Sequence, residues 1–226
     1  MTRLGIVTGL LIEARSISRA VRRRPTDKAP LIFAAAGDAS RAYDAARDMA
    51  AQGVGGLVSF GMAGGLDPAL RTGDIVVADS VQGPDGTNSA THSAWRDAIA
   101  TALGAQSGTV YGSDHALCAA AEKQALFTEH SLRIVDMESH GVARAAREHG
   151  LPFLVVRAVA DPAAMPIPTA ARSGVGPGGE RRALRVLAGL LHRPSELPAI
   201  IRLAQHSGAA MRALDSAAPV ILERTP

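Results

Sequence analysis

Residues 152–159, Pro-Phe-Leu-Val-Val-Arg-Ala-Val, make a short β-branched run that is almost wholly apolar, and Asp161-Pro162 ends it. A strand with one wet face alternates polar and apolar residues. This one does not, so it suits a parallel sheet covered by helices on both faces. Just upstream, Ser139 to His149 reads as a helix. Val142, Ala143 and Ala146 recur at helical spacing, Arg144, Arg147 and Glu148 fall elsewhere on the wheel, and Gly150 and Pro152 stop it. The two ends of the stretch 135–161 thus carry three carboxylates, Asp136, Glu138 and Asp161, on one helix and strand frame. Glu138 falls at a helix N-terminus, where backbone N–H groups favour negative charge. Asp161 falls at the carboxyl end of a strand, where open α/β sheets place their ligands. Asp136 reads as a cap.

The rest of the chain repeats the alternation. Segments 4–9, 31–36, 55–60, 74–79 and 109–112 read as strands, with helices over 11–23, from the turn at Gly37 to Ala51, and over 93–103. Gly61 to Gly65 reads as a glycine-rich turn and 83–91 as loop. These elements predict an α/β fold: a single-domain three-layer sandwich with a mixed, mostly parallel sheet. Residues 1–161 form its core. Beyond Asp161 the prolines at 162, 166, 168 and 177 and four glycines between 174 and 179 predict a loop or lid. Residues 162–226 then complete the same domain with C-terminal helices. In the first, Leu184, Leu187 and Leu191 make a stripe beside Arg181, Arg182 and Arg185, and the last runs from Pro198 to Leu214.

Charge and composition exclude several function classes. At 226 residues and 47% hydrophobic, the chain can bury one sizeable core. Its single cysteine, Cys118, forms no internal disulfide, and Thr8-Gly9 and Glu13 interrupt the first apolar run, so no signal peptide is expected and the cytoplasm is. No segment supplies the roughly 18–20 apolar residues of a spanning helix. The net charge is +3, with basic clusters at 22–24 and 181–193, and aromatics are 3%. Stacking on single-stranded nucleic acid has little to work with, which leaves an anionic surface or substrate. Ala63 stands where a dinucleotide fingerprint needs glycine, and the seven histidines show no metal-binding spacing. No metal and no cofactor is expected.

Four pieces together carry a resemblance: Met137-Glu138, the run 151–161 similar to VPFxVVRxxSD, GMAGGL at 61–66 and GDIVVAD at 73–79. In this order the chain resembles the purine nucleoside phosphorylase and methylthioadenosine nucleosidase superfamily. By overall likeness it is most similar to the hopanoid-associated branch, whose members are thought to remove adenine from adenosylhopane. The resemblance implies cleavage of the N-glycosidic bond of a purine nucleoside with an apolar 5′ substituent, and weakly a homodimer.

It also implies roles. Asp161 matches the acid at purine N7, Glu138 the carboxylate that accepts from the ribose hydroxyls, Met137 a residue packed on the sugar, and Glu13 the group that activates the attacking water. Ser113 and His115 occupy the stretch that lies against the purine, although a lone loop histidine is more often a surface residue. Hexameric phosphorylases carry arginine at the positions of Glu13 and Ser59, which favours water as nucleophile. Gly9, Gly37, Gly61 and Met62 surround the nucleophile position. Their N–H groups, with Arg15 and Arg41, leave phosphate open as a co-substrate. Met62 replaces a serine that touches the nucleophile in relatives. A lipid-linked nucleoside would bring the enzyme to an anionic membrane surface through 162–214. A non-catalytic nucleotide-binding scaffold of the same fold is the rival reading.

Overall fold

The computed structural model describes residues 2–23, 29–171, 176, 178–180, 188–189 and 192–226. The element order is β1 (Leu4–Thr8), α1 (Leu11–Arg23), β2 (Leu31–Ala34), α2 (Ala39–Ala51), β3 (Gly56–Gly65), β4 (Ile75–Gln82), β5 (Asn88–Ala90), α3 (Ser93–Leu103), β6 (Gln106–Gly112), α4 (Ala120–His130), β7 (Ile134–Asp136), α5 (Ser139–Glu148), β8 (Phe153–Asp161) and α6 (Leu197–Glu223).

All nine residues of β8 are buried. The two faces of the sheet explain why its sequence never alternates. Val155 and Val159 join Val7, Leu57 and Val76 in a core under α2 and α5. Leu154, Val156 and Ala158 join Ile6, Val58, Phe60 and Val77 in a second core with side chains of α1, α3 and α6. The fold is therefore α/β, a mixed sheet between two helical layers.

The sheet is not simply open. β3 pairs with β8, β8 with β4, β4 with β6, β6 with β7 and β7 with β3, so five strands close a ring, while β1 and β2 extend it from β3 and β5 flanks β4. The closing pair is short, Gly64 with Val135 and Gly65 with Ile134. This corrects two expectations. Gly61 to Gly65 continue β3 instead of turning, and 88–90 form a strand instead of loop. Glycines sit in β3 because side chains of the site press on it, as shown below.

α6 is longer than 198–214 and has two characters. Ala210, Met211, Leu214, Ala217, Ala218 and Ile221 are buried in the second core. Its first turns instead leave Leu197 and Ile201 48% and 50% exposed. The expected stripe of Leu184, Leu187 and Leu191 and the cations Arg181, Arg182 and Arg185 lie outside the described residues. Among the described residues no helix is long and apolar enough to cross a membrane.

Where α5 crosses α2, Gly141 lies against the backbone of Ala39, and a Cβ would be far closer to the Ala39 carbonyl oxygen than van der Waals contact allows. Gly141→Ala gains up to about 1 kcal/mol of helix propensity. It also forces two buried helices apart at a backbone atom that has no rotamer to yield, an overpacking that costs about 1–3 kcal/mol. A net loss of stability is expected in denaturant unfolding, and an unchanged midpoint would show that the helices slide freely.

Candidate active site

The strand ends build one cleft of about 480 Å³. The end of β1 brings Gly9, the first turn of α1 brings Glu13, the end of β3 brings Met62, the turn after β7 brings Met137 and Glu138, and the end of β8 brings Asp161. Gly37, His115, Ile167 and, from α6, Leu203 and Ser207 also line it.

Glu13 is almost fully buried and turns back over its own helix start. Its Oε2 accepts from the N–H groups of Gly9 at 2.9 Å and Leu10 at 2.8 Å, and its Oε1 accepts from Met62 N–H at 2.9 Å. The carboxyl thus fills a nest of three backbone donors. Glu138 stands just before α5 but does not cap it. Its Oε1 lies so close to Gly9 that a Cβ there would be 2.5 Å away. Gly61 is cramped in the same way by Glu13 and Arg157.

Arg157 is the residue that the sequence reading passed over. It is fully buried on β8 and donates to Asp136 Oδ2 at 2.5 Å, to Ser59 Oγ at 2.7 Å and to Glu138 Oε2 at 3.4 Å, while its Nη1 has no hydrogen-bond partner. Asp136 also accepts from the N–H and hydroxyl of Ser139, so it does cap α5. The signal was available: a charge in the middle of a strand buried on both faces needs buried partners of opposite sign. Among the described residues no group of His, Cys, Asp or Glu is arranged to hold a metal.

Glu13, Asp136 and Glu138 share this one guanidinium. Burial pushes the Glu138 carboxyl up to about 8, with Arg157 pulling down and the neighbouring carboxyls Asp136 and Glu13 pushing up. The Arg157 contact is long and its closest bond goes to Asp136, so desolvation wins at Glu138. Burial raises Glu13 too, against its backbone bonds and Arg157.

A carboxyl raised in the folded state holds a proton that the unfolded chain has lost. That contribution to stability is complete below the ordinary carboxyl range and disappears as pH climbs through about 8. The free protein is therefore expected to lose stability from pH 5 to 8.5, and Glu138→Gln to flatten the slope. Denaturant midpoints across that range check it, and parallel slopes in the two proteins would remove Glu138 as the cause.

Asp161 is raised mainly by burial, against the pull of Lys123 and His206. Lys123 of α4, also absent from the sequence reading, contacts its Oδ2 at 2.5 Å.

Other candidates fall differently. Ser113 is fully buried and does not line the cleft, because its hydroxyl donates to the His115 carbonyl at 2.7 Å and holds that turn. Gly61 lies behind Glu13 and does not line the cleft either. Nor do the two arginines: Arg15 is exposed on α1 and Arg41 lies over Phe33.

Comparison with known proteins agrees with this architecture. Futalosine hydrolase of Streptomyces coelicolor is 34% identical over 125 residues, 47% of this chain and 53% of that protein, so the chain spans about half the length of the curated relative it matches. Three solved structures share the fold across nearly all of both chains. The S-adenosylhomocysteine nucleosidase of Streptococcus pyogenes aligns with a TM-score of 0.74 at 18% identity, covering 100% and 98%. The methylthioadenosine/S-adenosylhomocysteine nucleosidase of Neisseria meningitidis gives 0.77 at 13%, and a futalosine hydrolase mutant of Helicobacter pylori gives 0.71 at 15%, each covering 100% of both chains. Residues 35–191 match the Phosphorylase superfamily, and the chain belongs to that family.

Proposed function

We propose that this protein hydrolyses the N-glycosidic bond of a purine nucleoside. The observation that carries the reading is the meeting of Glu13, Glu138 and Asp161 in one cleft, with the Glu13 carboxyl seated in the only nest of backbone N–H groups described there. Phosphate would need those donors and would meet a carboxylate in place of an arginine. Water meets a base.

In this scheme water attacks C1′ as the bond to N9 breaks, the bonding electrons pass into the purine, and the Asp161 carboxyl protonates N7. Glu13 takes the proton that the water loses, so the products are free base and free sugar. A carboxyl raised by burial suits both tasks, since an acid must still hold its proton near neutrality and a base must want one. Glu138 accepts from the two ribose hydroxyls, and those bonds favour its ionised form. Met137 packs on the sugar and His115 lies against the base.

For the 5′ substituent we favour an apolar group, adenosylhopane being the substrate to which the sequence resemblance points. Leu10, Met62, Ile167 and Leu203 line the cleft, and among its described lining residues no lysine or arginine stands ready to pair an anionic tail. A polycyclic tail would leave past Leu203 towards the exposed Leu197 and Ile201 of α6, where a peripheral membrane contact is proposed.

Chromatography of the protein incubated with adenosylhopane, methylthioadenosine and adenosine, with and without phosphate, tests the reading. Adenine and free sugar without phosphate are expected. Ribose 1-phosphate formed only with phosphate would reverse the choice of nucleophile, and no adenine from any of the three would favour a binding scaffold.

A further inference from the structure

α4 packs Leu126 and Phe127 half-buried on a small apolar cluster, yet its single fully buried side chain is a lysine. Lys123 Nζ lies 2.5 Å from Asp161 Oδ2, 3.2 Å from the Asp161 carbonyl, 3.1 Å from that of Met165 and 3.5 Å from that of Pro162. An ammonium has three hydrogens to give, so four oxygens saturate it. Taking such a group out of water is costly, and a buried pair is often no more stabilising than apolar residues of the same volume. Stability alone therefore does not call for lysine here. The other carboxyl oxygen, Asp161 Oδ1, accepts no hydrogen bond among the described residues, and Asp161 lines the cleft.

We propose that Lys123 is the positioning residue of the acid: it holds Oδ2 and the backbone leaving β8, so that Oδ1 is presented to the leaving purine. This rests on the hydrolytic reading above. The titratable groups that bear on the Asp161 carboxyl are Lys123 from α4 and His206 from α6, whose Nδ1 lies 2.7 Å from Thr72 Oγ1. Glu122 of α4 faces back to the Ala119 N–H at 3.4 Å, and Glu13, Asp136 and Glu138 gather around Arg157 instead. Without Lys123, burial would act on Asp161 with only His206 opposing it, and the carboxyl would keep its proton to higher pH. The same lysine ties the acid to the segment that follows, since Ile167 N–H also reaches the Cys118 carbonyl at 3.0 Å, just ahead of α4.

The test is Lys123→Met, which keeps the length of the stem. Base release is expected to fall by at least about tenfold, mostly in kcat, with the alkaline limb of the pH–rate profile displaced upward. A rate within threefold and an unmoved limb would overturn the proposal. Carbon-13 NMR titration of the Asp161 carboxyl, assigned by its loss in Asp161→Asn, reads the same claim without turnover. Its midpoint should rise in Lys123→Met, and an unchanged midpoint overturns the claim. If the wild type cleaves no nucleoside, the hydrolytic reading fails while this titration still decides the role of Lys123. If Lys123→Met does not fold, the pair Asp161→Asn and Asp161→Asn/Lys123→Met decides. Equal residual rates are expected of a residue acting through Asp161, and a further loss beyond about tenfold would overturn it.

Discussion

Asp161→Asn is expected to slow base release by about 10²–10⁴-fold, the span a well-placed general acid contributes. The amide keeps the shape of the carboxyl and can still accept from Lys123, but it has no acidic proton for N7. The effect should sit in kcat, because the proton is wanted in the transition state and not in binding. Asp161→Ala is a harsher change. It leaves the Lys123 ammonium fully buried with only carbonyl partners, and breaking a buried pair in this way costs about 3–5 kcal/mol. Rates for Asn, with circular dichroism to confirm the fold, therefore make the clean comparison. An Asn variant that keeps more than a tenth of wild-type turnover would end the assignment of Asp161 as acid.

The second large effect is expected at Glu13. Glu13→Ala removes the proposed base and frees the N–H groups of Gly9, Leu10 and Met62 together. Hydrolysis should fall by about 10²–10⁴-fold. Because the nest is then open to anions, added formate should restore part of the rate by standing in for the lost carboxylate, and inorganic phosphate should inhibit that rescue. In the wild type neither anion should matter, since the site is already filled. Activity of Glu13→Ala near the wild-type level, or phosphate activation of the wild type, would show that the nucleophile is held elsewhere.

Much of the frame was legible in the chain because hydrophobic periodicity is a local signal. The β-branched run of β8, the helix from Ser139 and the carboxylates at their ends needed no long-range information. What escaped the reading was set by tertiary contact. Gly61 to Gly65 looked like a turn because glycine weakens strands, yet here it clears space: Gly61 lies against Glu13 and Arg157, and Gly64 against Asp161. β5, three residues long, is too short to show a period and read as loop, and the pairing of β7 with β3 that closes the ring is a long-range contact that left no local trace. Lys123 sits on a helix that offers the core only the half-buried Leu126 and Phe127, and only the approach of β8 makes its burial meaningful. Ser113 looked like a ligand for the base because of the segment it occupies, but its hydroxyl is consumed by the turn.

The ring of β3, β8, β4, β6 and β7 also decides where this protein can move. Asp161 ends one member, Glu138 follows another, and Met62 lies in a third, so these groups keep their spacing unless several ladders break together. Their electrostatics are in place before substrate arrives and need little rearrangement during reaction. Entry and exit then fall to what lies outside the ring: residues 162–168, hung from Lys123 and the Cys118 carbonyl, and the half-exposed start of α6. Amide protons in the ring should wait for global unfolding before they exchange with solvent, while those of 197–209 escape through local fraying.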